Sequence, residues 1–360
     1  MKANFSQARF LIVRLSSIGD LVHALPVAEH LKTAFPAAHI TWLASSPAAE
    51  LLEGAPYVDE TIFWQRAPLD EAVHKKQLRT AWHLLGEAKK ILRAHTFDVV
   101  LDVHGLFLTG LLSHFTAAPV RIGVPERHEG GNFFLTQMAE KAVSPHKIAR
   151  YLAVLKPLGL TPHPTPPHLI IPKHYQNFAH LFFQHFVPAR NKRCLFIAPK
   201  SSWPSKDWPL AYYAEALQDL PADIVLFFCG AEKDSIEITQ IQRQLRNKHL
   251  ALSLAGKLSL MELAALFQAA AKKGLLLASD SGPLHIAAAV NLPTLSLWGP
   301  TAPETFAPYN QNAKILRTSY ACRNCHKTRC KKQGECMKAI HPAQVRAEIL
   351  KLLGNSSHMQ

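Results

Sequence analysis

The sequence predicts an α/β protein of two Rossmann-like parallel-sheet halves, and three observations carry that expectation. Its 360 residues exceed one compact domain and suit two of roughly 150 residues each. Short apolar or β-branched runs alternate with longer amphipathic stretches, the pattern of strand and crossover helix in a parallel sheet. Between two such series, Thr161 to Pro172 reads TPHPTPPHLIIP, whose five prolines suit neither a helix interior nor a central strand and so mark a linker.

In the first half the expected strands are Phe10 to Arg14, His39 to Leu43, Thr61 to Trp64, Asp98 to Val103 and Arg121 to Val124. Helical periodicity falls between them at Asp20 to Ala34, Ala48 to Glu53, Leu78 to Ala94 and Leu106 to Phe115, and His146 to Leu158 closes the unit. After the linker, strands are expected at Leu195 to Ala198, Ile224 to Cys229, Leu250 to Leu254, Gly274 to Ser279 and Thr294 to Trp298. Helices at Leu210 to Leu220, Asp234 to Arg246, Ser259 to Ala271 and Leu284 to Val290 fill the gaps. The expected division is 1–165, then 173–341, then a closing helix near Pro342 to Leu353 within 342–360.

Composition narrows the class. Apolar residues make up 48% and charged residues 18%, enough to bury a core and too apolar for disorder. No apolar run reaches the roughly 18 residues of a membrane helix, and Met1 to Asp20 lack a signal-peptide block, so a cytoplasmic location is expected. The net charge of +14 favours an anionic partner. Residues 1–172 carry 17 basic and 14 acidic side chains, against 23 and 12 in 173–360, so most of the excess lies in the second half.

Open parallel sheets bind ligands beyond the C-terminal ends of their strands, so chemistry is sought there. After the first strand, LSSIGDLVHALP turns tightly and places Asp20 at a helix start, where it is either an N-cap or a general base for an acceptor hydroxyl. In the second half, ASDSGPLHIAAAVNLP ends a strand and opens a helix. Its exposed N–H groups and dipole suit phosphate, through Ser281, Gly282, Leu284 and His285, although Pro283 has no donor and a plain capped helix reads the same way. Lys200 and Lys206 in APKSSWPSKDWP either neutralise a diphosphate or are solvated surface charges. Glu232 in FFCGAEKD follows a strand, where a carboxylate can accept from ribose hydroxyls. His104 in LDVHG and Arg121 in VRIG also lie at strand ends, where a structural hydrogen-bonding role is the commoner one. HExxH, GxxxxGK[ST] and GxSxG are absent, which removes the usual metalloprotease, nucleotide-hydrolase and serine-hydrolase readings.

Four of the six cysteines fall in CRNCHKTRCKKQGEC. In a reducing compartment, Cys322, Cys325, Cys330 and Cys336 suggest a structural zinc or iron site, the alternative being free thiols or local disulfides in a surface loop. Residues 319–338 carry six basic side chains and one acidic, an excess that either meets the phosphates of a lipid-linked acceptor or is simply solvated.

The order and spacing of IGDLVHALP, KDWP, GAEKD, SDSGPLHIAAA and LWGPTAPETFAP resemble the ADP-heptose lipopolysaccharide heptosyltransferase family along nearly the whole chain. That resemblance implies a GT-B architecture, with an acceptor-binding first half and an ADP-sugar-binding second half facing a central cleft. It implies Asp20 as catalytic base, Lys206 and Glu232 as donor contacts, and Asp280, Ser281, Gly282 and His285 around the donor phosphates and sugar, with Thr301 and Pro303 continuing that surface. The stretch ahead of KDWP departs from the usual pattern, leaving Ser201, Ser202 and Ser205 as alternative donor contacts. The implied reaction is inverting transfer of heptose from ADP-L-glycero-D-manno-heptose to a hydroxyl of the lipopolysaccharide inner core, without a cofactor. The implied partners are the ADP-heptose donor, a lipid-linked core oligosaccharide and the anionic inner face of the inner membrane. The rivals are transfer to a different acceptor, a sugar-nucleotide epimerase of similar fold, and a nucleic-acid-binding module. The last lacks the interleaved aromatics that base stacking needs, since only Tyr320 lies near the basic cluster.

Overall fold

The computed structural model describes residues 5–125, 129–187, 192–245 and 250–355. The chain forms two compact units, Met1–His168 and Leu169–Gln360, dividing inside the proline-rich stretch.

The first unit runs β1 (Arg9–Val13), α1 (Ile18–Ala34), β2 (His39–Ala44), β3 (Glu60–Phe63), α2 (Ala67–His74), α3 (Leu78–Arg93), β4 (Val99–Asp102), α4 (Phe107–Phe115), β5 (Val120–Gly123), β6 (Gln137–Met138) and α5 (Lys147–Leu152). The second runs α6 (Lys173–Phe186), β7 (Arg193–Ala198), α7 (Leu210–Leu217), β8 (Ile224–Phe228), α8 (Ser235–Gln244), β9 (Ala251–Ser253), α9 (Leu260–Ala270), β10 (Gly274–Ser279), α10 (Gly282–Ala289), β11 (Thr294–Trp298), α11 (Pro303–Phe306), β12 (Ala313–Arg317), α12 (Glu335–Lys338) and α13 (Pro342–Asn355).

Each unit holds one six-stranded sheet whose neighbouring strands pair in parallel, ordered β3-β2-β1-β4-β5-β6 and β12-β11-β10-β7-β8-β9. Counted from its own first strand, each sheet has the same doubly wound order, with the switch point between its first and fourth strands. Those switch points are β1/β4, in register Val13↔Asp102, and β7/β10, in register Ala198↔Ala278. The central strands are fully buried runs such as Leu11, Ile12 and Val13 or Leu275, Leu276 and Leu277, as a sheet covered on both faces requires.

Several elements depart from the sequence expectation. The Ala48–Gly54 segment is a 3-10 helix, and the expected helix from His146 becomes α5 followed by a 3-10 segment, Ala153–Leu158, where Pro157 removes a backbone donor. His146 caps α5, its Nδ1 accepting from the Ile148 N–H at 3.2 Å. The expected helix ending at Arg246 stops at Gln244, and Arg246 itself lies outside the described residues. The closing helix α13 packs Val345, Ile349 and Leu353 into the second unit's core. Residues 356–360 of the expected tail lie outside the described residues.

Candidate active site

At the β1/β4 switch point the chain leaves β1 through Arg14 and Leu15 and enters α1, with Asp20 in its first turn. The Asp20 carboxylate is caged. Arg14 Nη2 lies 2.6 Å from Oδ2, and Ser17 donates to the same oxygen at 3.0 Å. On the other side the Tyr151 hydroxyl donates to Oδ1 at 2.7 Å, and Lys147 Nζ stands 3.4 Å away. Arg14 is itself fixed, Nη1 donating to the Val103 carbonyl at 3.1 Å and the guanidinium lying 5.1 Å from the Tyr151 ring centre. Burial alone pushes the Asp20 carboxyl up, but Arg14, Lys147, the Tyr151 hydroxyl and His23 outweigh it and hold the group well below the usual carboxylate range. Its side chain keeps 24% exposure, so an ionised carboxylate stays within reach of a ligand. Asp20 therefore does more than cap a helix: no side-chain cap bond forms at α1, and the carboxylate turns to side chains instead.

His104 follows β4 on the facing strand end, its Nδ1 3.4 Å from the Leu15 N–H. Burial first, then the Arg14 charge, lowers its pKa well below the ordinary imidazole value, so it is neutral. Beneath it the buried Asp102 accepts from the N–H groups of His104 and Gly105 at 3.0 and 3.1 Å and from the Thr109 hydroxyl at 3.0 Å. Burial nonetheless pushes the Asp102 carboxyl up to about 6. Arg121 is structural, donating to the carbonyls of Phe134 and Ala118 at 2.8 and 2.6 Å.

The β7/β10 switch point carries the second cluster. Lys206 Nζ lies 2.7 Å from Asp280 Oδ2, and His285 Nε2 lies 3.5 Å from Oδ1. Asp280 is largely buried. Burial raises its pKa, but the His285 hydrogen bond and the Lys206 charge prevail and bring it down to about 2. The ammonium of Lys206 also sits 4.3 Å from the Trp203 ring centre, a cation–π contact. The structure thus brings Lys206, Asp280 and His285 together as one group in which the carboxylate orients the cation. Ser281 stands at the start of α10 with its Oγ buried and, among the described residues, without a hydrogen-bond partner. Of the helix-start donors expected from sequence, the Leu284 N–H is already engaged, bonding the Ser281 carbonyl at 3.2 Å as the first turn closes.

Other expected contacts fall elsewhere. Lys200 is committed to Asp207 at 2.7 Å and to Glu237 at 3.5 Å. Ser201 caps the same turn, its N–H and hydroxyl both directed to Asp207. Ser205 is buried and donates its hydroxyl to the Lys327 carbonyl at 2.5 Å, tying its turn to the cysteine segment. Glu232 is exposed at the end of β8, across β7 from Asp280, and packs on Gly256. Gly256 has φ +68°, and a Cβ there would come within 2.7 Å of the Glu232 Cβ. Thr301 is buried, and its carbonyl accepts from the Asn324 side-chain amide at 3.1 Å.

Residues 86–335 match the model of glycosyltransferase family 9 (heptosyltransferase). The chain belongs to this family. It is therefore a glycosyltransferase, and relatives of the family 9 enzyme carry heptosyltransferase names. The lipopolysaccharide core heptosyltransferase OpsX of Haemophilus influenzae is 29% identical over 85% of this chain and 83% of its own. The family 9 glycosyltransferase of Veillonella parvula superposes with a TM-score of 0.83 at 23% identity, covering 99% of both chains. The ADP-heptose lipopolysaccharide heptosyltransferase II of Escherichia coli gives 0.76 at 22% identity, covering 97% of this chain and 99% of its own. The fold is thus that of the GT-B heptosyltransferases, two parallel-sheet α/β units.

The cysteine segment of the family 9 chain is held to the turn after β11 and to the turn ahead of Lys206 by main-chain bonds. Asn324 and His326 donate to the carbonyls of Gly299 and Pro300 at 2.9 Å each, and the Ser205 N–H donates to Thr328 at 3.2 Å. Cys322, Cys325, Cys330 and Cys336 line one small cavity, and the Lys332 N–H approaches Cys330 Sγ at 3.3 Å. Burial, then the neighbouring thiols, raise the Cys336 pKa. All four are free thiols. The expected metal site is nevertheless corrected, because among the described residues no three His, Cys, Asp or Glu side chains stand where they could share a metal ion. Three main-chain bonds and the Ser205 hydroxyl hold the loop in position. No helix among the described residues is long and apolar enough to cross a membrane.

Proposed function

We propose that this chain transfers heptose from ADP-L-glycero-D-manno-heptose to a hydroxyl of the lipopolysaccharide inner core, with inversion, working at the inner face of the inner membrane. The observation that carries the reading is the caged Asp20 carboxylate, ionised at neutral pH and accessible at a switch-point strand end. The names of its relatives support the sugar and the acceptor class.

In the proposed step an acceptor hydroxyl oxygen forms a bond to the anomeric carbon while the bond from that carbon to the ADP oxygen breaks, the electron pair leaving with ADP. Asp20 takes the hydroxyl proton. A carboxylate so well paired with cations is a weak base, so it takes the proton late, as bond formation makes the acceptor oxygen acidic. Arg14 and Tyr151 hold it in one rotamer for that transfer. Lys206, oriented by Asp280 and His285, offsets the charge building on the departing diphosphate, and Ser281 and the Gly282 N–H are assigned to the same phosphates from the family motif. Glu232 holds the ribose hydroxyls. No metal enters the scheme.

The test is mass spectrometry of truncated lipopolysaccharides incubated with ADP-heptose and enzyme. Addition of one heptose to the acceptor supports the reading; ADP-heptose converted to another sugar nucleotide without acceptor would favour an epimerase instead.

A further inference from the structure

We infer that the outward side of α2 and α3 is a membrane-docking surface, with Val73, Leu78 and Trp82 entering the headgroup region of an anionic bilayer. Helix α3 already has a core side: Ala81, Ala88 and Leu92 are buried, and Leu84 and Leu85 pack partly against the first unit's core. Three large apolar residues stand most exposed on these helices, Val73 at 60%, Leu78 at 69% and Trp82 at 73%, ahead of Ile91 at 37%. Leu78 and Trp82 are four apart, one above the other on the same helix side. Of the six tryptophans, Trp82 alone is exposed, and an exposed indole beside aliphatic side chains is the composition of a membrane–water interface.

Charge names the occupant. Residues 72–86 contain Lys75, Lys76 and Arg79 and no acidic residue, and Lys89, Lys90 and Arg93 continue the exposed cationic stripe. Two local pairs temper this, Lys75 with Glu71 at 2.6 Å and His83 with Glu87 at 3.3 Å, both fully at the surface. Apolar side chains ringed by Lys and Arg match a bilayer whose surface is anionic and whose boundary accepts Trp and Leu, with each cation contributing near the surface. A protein partner would need on the order of 800 Å² of complementary surface, far more than three side chains supply. The inference rests on the proposed lipid-linked acceptor for its purpose, though not for its measurement.

The full-length protein is sedimented with phosphatidylcholine vesicles with and without phosphatidylglycerol, alongside Leu78→Ser/Trp82→Ser and Lys75→Glu/Lys76→Glu/Arg79→Glu variants. Wild type is expected to bind the anionic vesicles selectively, each variant to partition on the order of tenfold less or weaker, and emission to shift blue on binding in wild type but not in Trp82→Phe. Far-UV circular dichroism and the melting transition should match wild type in all three, which shows that the first unit folds, and ADP affinity should be unchanged. Equal binding by wild type and variants overturns the inference, as does a dimer in sedimentation velocity that the Leu78→Ser/Trp82→Ser change dissociates while vesicle binding persists. Absence of heptose transfer by a wild type that still binds vesicles would sink the proposed function and leave the docking surface standing.

Discussion

Replacing Asp280 by Asn removes the charge that holds Lys206. The folded carboxyl titrates at about 2, against about 3.9 in an unfolded chain, which corresponds to about 2–3 kcal/mol of stability at neutral pH. Breaking a buried pair by removing one partner gives a similar figure, about 3–5 kcal/mol, because Lys206, only 12% exposed, is left without its counter-ion. For a unit spanning residues 169–360, a loss of about 3 kcal/mol lowers the melting temperature by about 6–12 °C. Because the folded carboxyl titrates below the unfolded one, this stability is complete above about pH 4 and is lost as the pH falls toward 2. The gap between wild type and variant should therefore narrow on acidification. Differential scanning calorimetry from pH 3 to 7 and an ADP titration at pH 7 measure both consequences, and ADP affinity is expected to fall at least about tenfold as Lys206 loses its orientation. An Asp280→Asn protein with unchanged melting temperature and unchanged ADP affinity would refute the pairing as the organiser of this site.

Tyr151→Phe removes one charge-assisted bond to Asp20, and kcat should fall on the order of tenfold with ADP affinity intact while the acid limb of the pH–rate profile moves up; an unmoved limb would mean that Tyr151 serves packing alone. Ser205→Ala frees the KDWP turn from the Lys327 carbonyl at a cost of about 1–3 kcal/mol, seen as a lower melting temperature and a raised KM for donor. For Asp102 the sign is opposite to Asp280: its folded pKa of about 6 lies above the unfolded value, so the stability it lends is complete below about pH 4 and lost as pH rises through 6. Asp102→Asn should accordingly gain on wild type between about pH 4 and 7 in urea melts, and a constant difference would contradict the burial effect.

The elements most legible in the sequence were those whose burial leaves one choice. Gly274–Ser279 and Thr294–Trp298 are central, fully buried strands, and their expected and observed bounds coincide. Helix α6 was missed because it follows the prolines and fully buries only Ala179, presenting Phe182 and Phe183 to Phe227 instead of a regular aliphatic stripe. The edge strands β6 and β12 are short or half-exposed and lack such a signal. Helix α2 escaped for a similar reason, with Leu69 and Ala72 its only buried residues.

At the candidate site, Asp20 and Asp280 stand near strand ends, and the motifs shared with the resembled family single them out with Lys206 and His285; the fold brings Lys206, Asp280 and His285 together. Arg14 and Tyr151 were not legible, since Tyr151 meets Asp20 across 131 positions of sequence and no local pattern records such a contact. The cysteines mislead in the opposite direction. Their spacing suggests a tetrahedral site, whereas main-chain bonds from Asn324, His326 and Ser205 already position the segment, and the four thiols share a small cavity without a geometry that, among the described residues, could hold a metal ion.

The most direct measurement is single-turnover transfer from ADP-heptose to a heptose-deficient lipopolysaccharide acceptor by wild type and Asp20→Asn, with ADP binding to both followed by calorimetry. Wild type is expected to add one heptose with inverted anomeric configuration, and Asp20→Asn to bind ADP equally but react at least about a hundredfold more slowly. Near wild-type turnover by Asp20→Asn, or no heptosylated product from wild type with any such acceptor, would contradict the assignment.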